Sequence, residues 1–87
     1  METARVARLI EEGVEGAEVV HAERTPHPGE DEHEHFAVEV VAPAFEGVTI
    51  VNRHEMVYDA LGDHMTTDIH ALDVTTYTPD EWAERAE

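Results

Sequence analysis

Histidine is the only strong class of soft metal ligand in this chain, because its 87 residues include seven histidines and no cysteine. Neutral imidazole nitrogen binds zinc, copper and iron readily. The histidines of interest lie in an acidic stretch that contains His33 and His35, and at His70, sixteen residues beyond His54. Any metal chemistry must therefore run through histidine, and a thiol-ligated cluster would need another molecule to supply sulfur.

The net charge of the chain disfavours polyanionic partners. It carries 21 acidic residues against 5 arginines and no lysine, which gives a formal net charge of -16. Because Lys and Arg supply most of the nonspecific affinity for phosphates, binding to nucleic acid is disfavoured. The composition also resembles adaptation to molar salt, where screening over about 3 Å hides much of the repulsion. The acidic composition can therefore reflect a saline habitat and need not indicate the kind of partner.

The N-terminal half predicts a helix and a hairpin. Apolar residues at helical spacing follow Thr3, a possible N-cap, and predict a helix over residues 3–12. Residues 17–24 have strand-like composition, and prolines and a glycine then interrupt regular structure. The alternation of apolar and other residues over Phe36–Val41 predicts a second, half-buried strand.

The next segment predicts an irregular connection and a second helix. Residues 42–51 contain a proline and a glycine, and Asn52 stands three positions before Glu55, as in a relative of the capping box. We therefore expect a helix to begin at Arg53 and to end at Gly62.

The last third predicts a strand and a final helix. Residues 63–68 fit a short turn or helical piece, and β-branched and aromatic residues predict a strand over Ile69–Tyr77. Thr78, a proline at the first helical position and Glu81 form a strong helix start. We expect Trp82, on this helix, to pack back onto the sheet.

The predicted order is α-β-β-α-β-α, which favours an α+β fold. A hairpin followed by a helical crossover implies a mixed three-stranded sheet with helices covering a face. The length predicts a single domain over residues 1–87. No apolar run approaches the roughly twenty residues of a membrane span, and no signal pattern is present, so we expect a cytoplasmic protein.

Several motifs in order resemble the BolA family. They are His35-Phe36, Phe45-Glu46-Gly47, Asn52-Arg53-His54-Glu55-Met56-Val57-Tyr58, Ile69-His70-Ala71-Leu72 and Tyr77-Thr78-Pro79-Asp80-Glu81-Trp82. The resemblance covers most of the chain from residue 35 onward and implies a fold similar to the class II KH domain. It also implies an adaptor that partners a monothiol glutaredoxin and shares a bridging two-iron two-sulfur cluster, in iron-sulfur maturation or iron regulation. Some family members are DNA-binding transcriptional regulators.

The resemblance also implies a ligand set. His70 matches the family's C-terminal ligand histidine, and the second ligand comes from the loop between the first two strands. His27 is the candidate there, with His33 and His35 as alternates. The partner's thiolate and a low-molecular-weight thiol would hold the other iron. The protein is then expected to be a monomer without a cofactor when alone and a heterodimer with its partner.

Each of these histidines also has a simpler interpretation. Counting by twos, His70 shares a strand face with Leu72 and Val74, so it fits a partly buried histidine with an ordinary hydrogen bond. His27 fits a solvated loop residue. His33 and His35 stand two apart and fit either a chelating pair or a solvated acidic loop.

A second candidate surface is the start of the predicted helix at Asn52, Arg53 and His54. Backbone amides at a helix N-terminus favour anions, so these residues could contact a partner or nucleic acid. Arg53 could equally pair with nearby carboxylates. No catalytic constellation accompanies them: the sequence has no cysteine nucleophile, phosphate loop or nucleophile elbow, so we expect a protein that is not an enzyme.

Overall fold

A computed structural model describes residues 2–25, 34–67 and 69–85. The elements in chain order are α1 (Thr3–Gly13), β1 (Glu18–Thr25), β2 (Glu34–Val41), a short 3-10 helix (Pro43–Phe45), α2 (Ile50–Leu61), α3 (His64–Thr67), β3 (Ile69–Tyr77) and α4 (Pro79–Arg85). The predicted order of helices and strands is therefore confirmed, and β3 has the predicted bounds.

The three strands form one mixed sheet in the order β1-β2-β3. The hairpin partners β1 and β2 are antiparallel, whereas β2 and β3 are parallel. Parallel neighbours need a crossover, which here runs through the 3-10 helix, α2 and α3. The predicted α+β fold, class II KH-like in its order, is thus confirmed.

The core lies between one face of the sheet and helices α1 and α2. Alternate residues of β2, namely Phe36, Val38 and Val40, are at most 2% exposed, as the period of two predicts. The helices contribute a fully buried set at helical spacing: Val6, Ile10, Val57 and Leu61. Each such side chain contributes about 1.5–3 kcal/mol relative to full exposure.

Helices α1 and α2 approach closely at Gly13. A Cβ atom built on Gly13 would lie 2.5 Å from the Cβ and 2.9 Å from the Cα of Ala60. Because the second of these atoms belongs to the backbone, a larger residue at position 13 would push the two helices apart.

Both predicted caps of the first two helices are wrong. Helix α2 begins at Ile50, and the Thr49 hydroxyl accepts the N–H of Asn52 at 3.2 Å, so Asn52 is the third helical residue and not the cap. Thr3 is already inside α1, whose N-cap Glu2 makes no side-chain hydrogen bond. In both places a residue suited to capping stands close to the true cap, and spacing alone does not choose between them.

Two other predicted helix boundaries are confirmed: the end of α2 at Gly62 and the start of α4 after Thr78. Gly62 follows α2 with a φ of 58°, a conformation that favours glycine. At α4, the Glu81 N–H donates to the Thr78 hydroxyl at 3.1 Å, and the Thr78 N–H donates to Glu81 Oε1 at 2.9 Å. Within the described ranges, no helix is both long and apolar enough to cross a membrane.

Candidate functional site

His70 lies at an irregular point of the β2–β3 ladder. Glu34 pairs with Ile69, whereas the next residue of β2, His35, pairs with Ala71. One extra residue of β3, His70, is therefore accommodated between two successive pairs. Such bulges bend a strand and increase its local twist. The candidate ligand thus falls where regular strand pairing gives way near the start of β3.

The two ends of the β1–β2 connection lie beside this point. β1 ends at Thr25, which pairs with His35, and β2 begins at Glu34. Neighbouring strands are about 4.8 Å apart, so the start of β3 lies one strand away from Glu34 and two from Thr25. His27 and His33 belong to the connecting residues 26–33 and lie outside the described residues. The fold therefore brings both ends of the histidine-bearing connection to the same end of the sheet as His70.

His35, the remaining alternate ligand, belongs to β2. It is half-buried and alternates with Phe36, which faces the helices, so it shares the opposite face of the sheet with Ala37 and Glu39. Its backbone pairs with Ala71, the residue after His70. His35 is therefore the one alternate that the structure places, and its backbone is next to the candidate ligand.

The donor types of the chain limit the metal groups that it could bind. Among the described residues, no cluster of three or more His, Cys, Asp or Glu side chains is arranged to hold a metal ion. With no cysteine in the chain, its soft donors are imidazoles alone. A thiol-ligated metal cluster bound through one or two imidazoles at this end of the sheet would need its thiolate ligands from a partner.

The second candidate surface is built differently from the prediction. Arg53 is only 6% exposed, its Nε donates to the carbonyl of Val48 at 2.8 Å, and one terminal nitrogen donates to Glu81 Oε1 at 3.0 Å. Its guanidinium carbon lies 5.8 Å from the centroid of the Phe45 ring. The alternative that Arg53 pairs with a carboxylate is confirmed, and its burial leaves little of the side chain for a partner or nucleic acid.

The burial of Arg53 is indicated by its spacing from the apolar residues of α2. Arg53 stands four residues before Val57 and eight before Leu61, both fully buried, so it occupies the same helical stripe. Asn52 is exposed, and His54 is half-buried with its ring centroid 6.4 Å from that of Tyr58. A contact of these two residues with a partner stays a prediction.

Glu81 joins two helix starts. Its carboxylate accepts from Arg53 and from the N–H of Thr78, and these two hydrogen bonds, with the Arg53 hydrogen bond the larger cause, hold the pKa of Glu81 below its ordinary value. We refer to Val48, Arg53, Thr78 and Glu81 as the capping network. It ties the beginning of α4 to the beginning of α2.

Comparisons with known proteins agree with the motif series. A family model described as BolA-like protein matches residues 14–81. A solved bolA protein homologue from Coxiella burnetii is 44% identical, with a TM-score of 0.79, and the match covers 95% of this chain and 97% of that chain.

Two curated relatives are similar over part of their length. SufE-like protein 1 (chloroplastic/mitochondrial) of Arabidopsis thaliana is 38% identical over 61 residues, which are 70% of this chain and 16% of that protein. The DNA-binding transcriptional regulator BolA of Escherichia coli strain K12 is 44% identical over 48 residues, which are 55% of this chain and 46% of that protein. The chain thus spans less than half the length of either relative.

Proposed function

This chain belongs to the BolA-like family, and we propose that it is an adaptor that partners a monothiol glutaredoxin and shares a bridging two-iron two-sulfur cluster with it. The proposal covers a role in iron-sulfur maturation or iron regulation. The observation that carries it is the register at the start of β3, where His70 stands beside both ends of the connection that contains His27 and His33.

The donor chemistry supports sharing. His70 and one imidazole from the β1–β2 side, with His27 the first candidate and His33 and His35 the alternates, would bind one iron. The partner's thiolate and a low-molecular-weight thiol would hold the other iron. A cluster with histidine ligands on one iron has a higher reduction potential than one held by four cysteines, and an imidazole ligand is lost on protonation. Such a cluster is suited to transfer.

The proposal is tested by reconstituting the cluster in a mixture of this chain and a monothiol glutaredoxin. We expect a heterodimer whose visible absorption and circular dichroism differ from those of the glutaredoxin alone. His70→Ala should abolish that difference. His21→Ala is the matched control, because His21 is an exposed histidine on β1 that pairs with Glu23 at 2.8 Å. An unchanged spectrum with His70→Ala would remove His70 as a ligand.

The second ligand is found by the same measurement on three further variants. His27→Ala, His33→Ala and His35→Ala are each reconstituted and studied by iron-edge spectroscopy, which distinguishes nitrogen or oxygen donors from sulfur. We expect one of the three to lose a nitrogen donor, and His27 is the first candidate. Retention of all nitrogen donors in every variant would contradict a ligand from this side of the sheet.

A second candidate function is suggested by the Escherichia coli relative, which is named as a DNA-binding transcriptional regulator. The net charge of -16 and the burial of Arg53 weigh against it, because phosphate binding depends on accessible cations. DNA titration across a range of salt concentrations separates the two functions. Sequence-specific retention would favour the regulator, and its absence at every ionic strength would exclude it.

A further inference from the structure

Helix α2 carries an apolar surface that the core does not use. Ile50 is 55% exposed, Val51 67% and Tyr58 37%, and within the described residues these are the exposed large hydrophobic side chains. All three belong to α2, whereas an exposed helix face is ordinarily polar. Scattered single apolar residues need no explanation, but their concentration on one helix does.

The spacing places these residues on one side of the helix. Val51, His54 and Tyr58 stand at positions i, i+3 and i+7, and Ile50 is adjacent at the first turn. The rings of His54 and Tyr58 are 6.4 Å apart between centroids. We call Ile50, Val51, His54 and Tyr58 the α2 patch. Val51, His54 and Tyr58 lie beside the stripe of Arg53, Val57 and Leu61 that faces the core, and Ile50 continues that stripe at the exposed first turn.

Capping does not account for the exposed residues. The first turn of α2 is capped by Thr49, which precedes Ile50 and Val51, and the Arg53 N–H bonds to the Thr49 carbonyl at 2.9 Å. Ile50 and Val51 are also β-branched, which slightly disfavours a helix. At Val51, which is the more exposed of the two, a polar residue would serve the helix equally well, so capping does not explain its apolar character.

The charge around the α2 patch indicates the kind of partner. Within residues 46–59 the exposed charged side chains are Glu46, Glu55 and Asp59, and the single arginine of that segment, Arg53, is buried and paired with Glu81. The exposed charged residues that neighbour the patch along the chain are therefore all acidic. A partner with acidic residues close to them would be repelled, whereas lysine or arginine there would be attracted.

We propose that the α2 patch is a docking surface for a partner protein segment with an apolar face bordered by Lys or Arg side chains. A second copy of this chain is disfavoured, because it would bring like charges together and the chain has a net charge of -16. The first turn of α2, with Ile50 and Val51, lies on the side of the capping network, which joins α2 to the C-terminal end of β3. His70 lies at the other end of that strand, seven residues before Tyr77 and about 23 Å from it along β3.

The test uses the full chain, isotope-labelled for NMR, and three synthetic helical peptides. The first has a leucine face bordered by lysines, the second replaces the lysines by glutamates, and the third keeps the lysines but replaces the leucines by serines. We expect the first peptide alone to bind, with amide shifts concentrated at residues 49–59. Val51→Ser should weaken its binding roughly tenfold, the loss expected for one apolar side chain at an interface.

Controls separate this outcome from its alternatives. Ala83→Ser, an exposed substitution on α4, should leave binding unchanged, and His70→Ala should do so as well. Equal binding of the serine-faced peptide, or shifts spread over the whole acidic surface, would show general charge attraction and overturn the proposal. Self-association in sedimentation that Val51→Ser abolishes would assign the patch to a second copy and overturn it too. Absence of binding by the first peptide would also overturn it.

Discussion

At its C-terminal end β3 leads directly into the capping network, whereas near its N-terminal end its pairing with β2 takes in one extra residue, His70. The first end has side-chain hydrogen bonds between 2.8 and 3.1 Å that join α2, α4 and the chain before α2. At the second end the register between β2 and β3 is interrupted, and candidate imidazole ligands come from β3 and from the β1–β2 side. One strand therefore combines an end that is fixed by the chain's own side chains with an end whose proposed chemistry depends on a partner.

The difference between the two ends of β3 shows how a chain of 87 residues can combine a stable fold with an irregular candidate site. A fold of this size has little stability to spare, since native domains are held by about 5–15 kcal/mol. Local irregularity is tolerated at one end of a strand if the other end is firmly fixed. Substitutions at the fixed end should therefore alter stability, and substitution of His70 should alter cluster binding with little change in stability.

The largest loss of stability is expected for Phe45→Ala. Phe45 is fully buried and lies beneath the Arg53 guanidinium, so its removal leaves a cavity in the core and costs about 3–5 kcal/mol in the free energy of unfolding. Urea unfolding followed by circular dichroism measures the change. Phe45→Leu, which retains most of the volume, is the control for a variant that fails to fold. A comparable loss with His70→Ala would contradict the contrast between the two ends.

The next largest effect is expected for Arg53→Met. Methionine keeps an apolar side chain of similar length but removes the guanidinium, and with it the contact with the Phe45 ring and the hydrogen bonds to the Val48 carbonyl and to Glu81. Because the Arg53 side chain is 8% exposed, solvent replaces these bonds poorly, and we expect a loss of about 2–3 kcal/mol in urea unfolding. The control Arg5→Met, at an exposed position of α1, should change the stability by less than about 0.5 kcal/mol. Equal effects of the two variants would refute a structural role for Arg53.

The sequence predicted those features that depend on neighbouring residues. The capping box of Thr78 and Glu81 is local chemistry, and the strand Ile69–Tyr77 is marked by composition and bounded by a proline-containing helix start. The start of α2 was not predictable in this way, because Thr49 and Asn52 are both suitable caps. In the structure Thr49 is the cap, and Arg53 is buried in the first turn, where it donates to the Val48 carbonyl and to Glu81 of the distant helix α4.

The candidate site was less predictable than the fold. Composition and motif resemblance identified His70, but the extra residue at that position is a property of register between two strands, which local sequence does not encode. Arg53 was assigned to a surface because the helix was expected to begin there, and backbone amides at a helix N-terminus favour anions. Its place on the stripe of Val57 and Leu61 is visible in the sequence only once the helix start is known.

A smaller, pH-dependent effect is expected at Glu81. Hydrogen bonds from Arg53 and from the Thr78 backbone lower the pKa of Glu81 in the folded state from its ordinary value of about 4.5. A lowered folded-state pKa gives a contribution to stability that is fully present above the unfolded pKa and is lost as the pH falls through the folded pKa. Glu81→Gln should therefore be less stable than the natural chain at neutral pH, and the difference should shrink below about pH 4.5.

Urea unfolding at a series of pH values measures this difference. Glu84→Gln is the matched control, because Glu84 is an exposed carboxylate of the same helix outside the capping network. Its difference from the natural chain should be small throughout. A Glu81→Gln difference that stays constant down to pH 2 would show that the carboxylate charge is not what joins the two helix starts.

The smallest effect is expected at Arg85, where the C-terminal end of β3 meets the open side of the sheet. Its guanidinium carbon lies 4.9 Å from the Trp82 ring centroid and 5.6 Å from that of Tyr77, and its terminal nitrogen is 3.7 Å from Glu39. The side chain is 50% exposed, so we expect Arg85→Ala to cost about 0.5–1 kcal/mol and to change the fluorescence of the single tryptophan.

Glu39→Gln separates the two causes of that effect. It removes the ion pair but leaves the aromatic contacts of Arg85, and exposed ion pairs contribute little and are screened by salt. If stacking on Trp82 and Tyr77 holds Arg85, Glu39→Gln should cost less than Arg85→Ala, and the Arg85→Ala loss should persist at high salt. Equal losses that both vanish in salt would mean that charge pairing, and not aromatic contact, fixes α4 against this end of the strand.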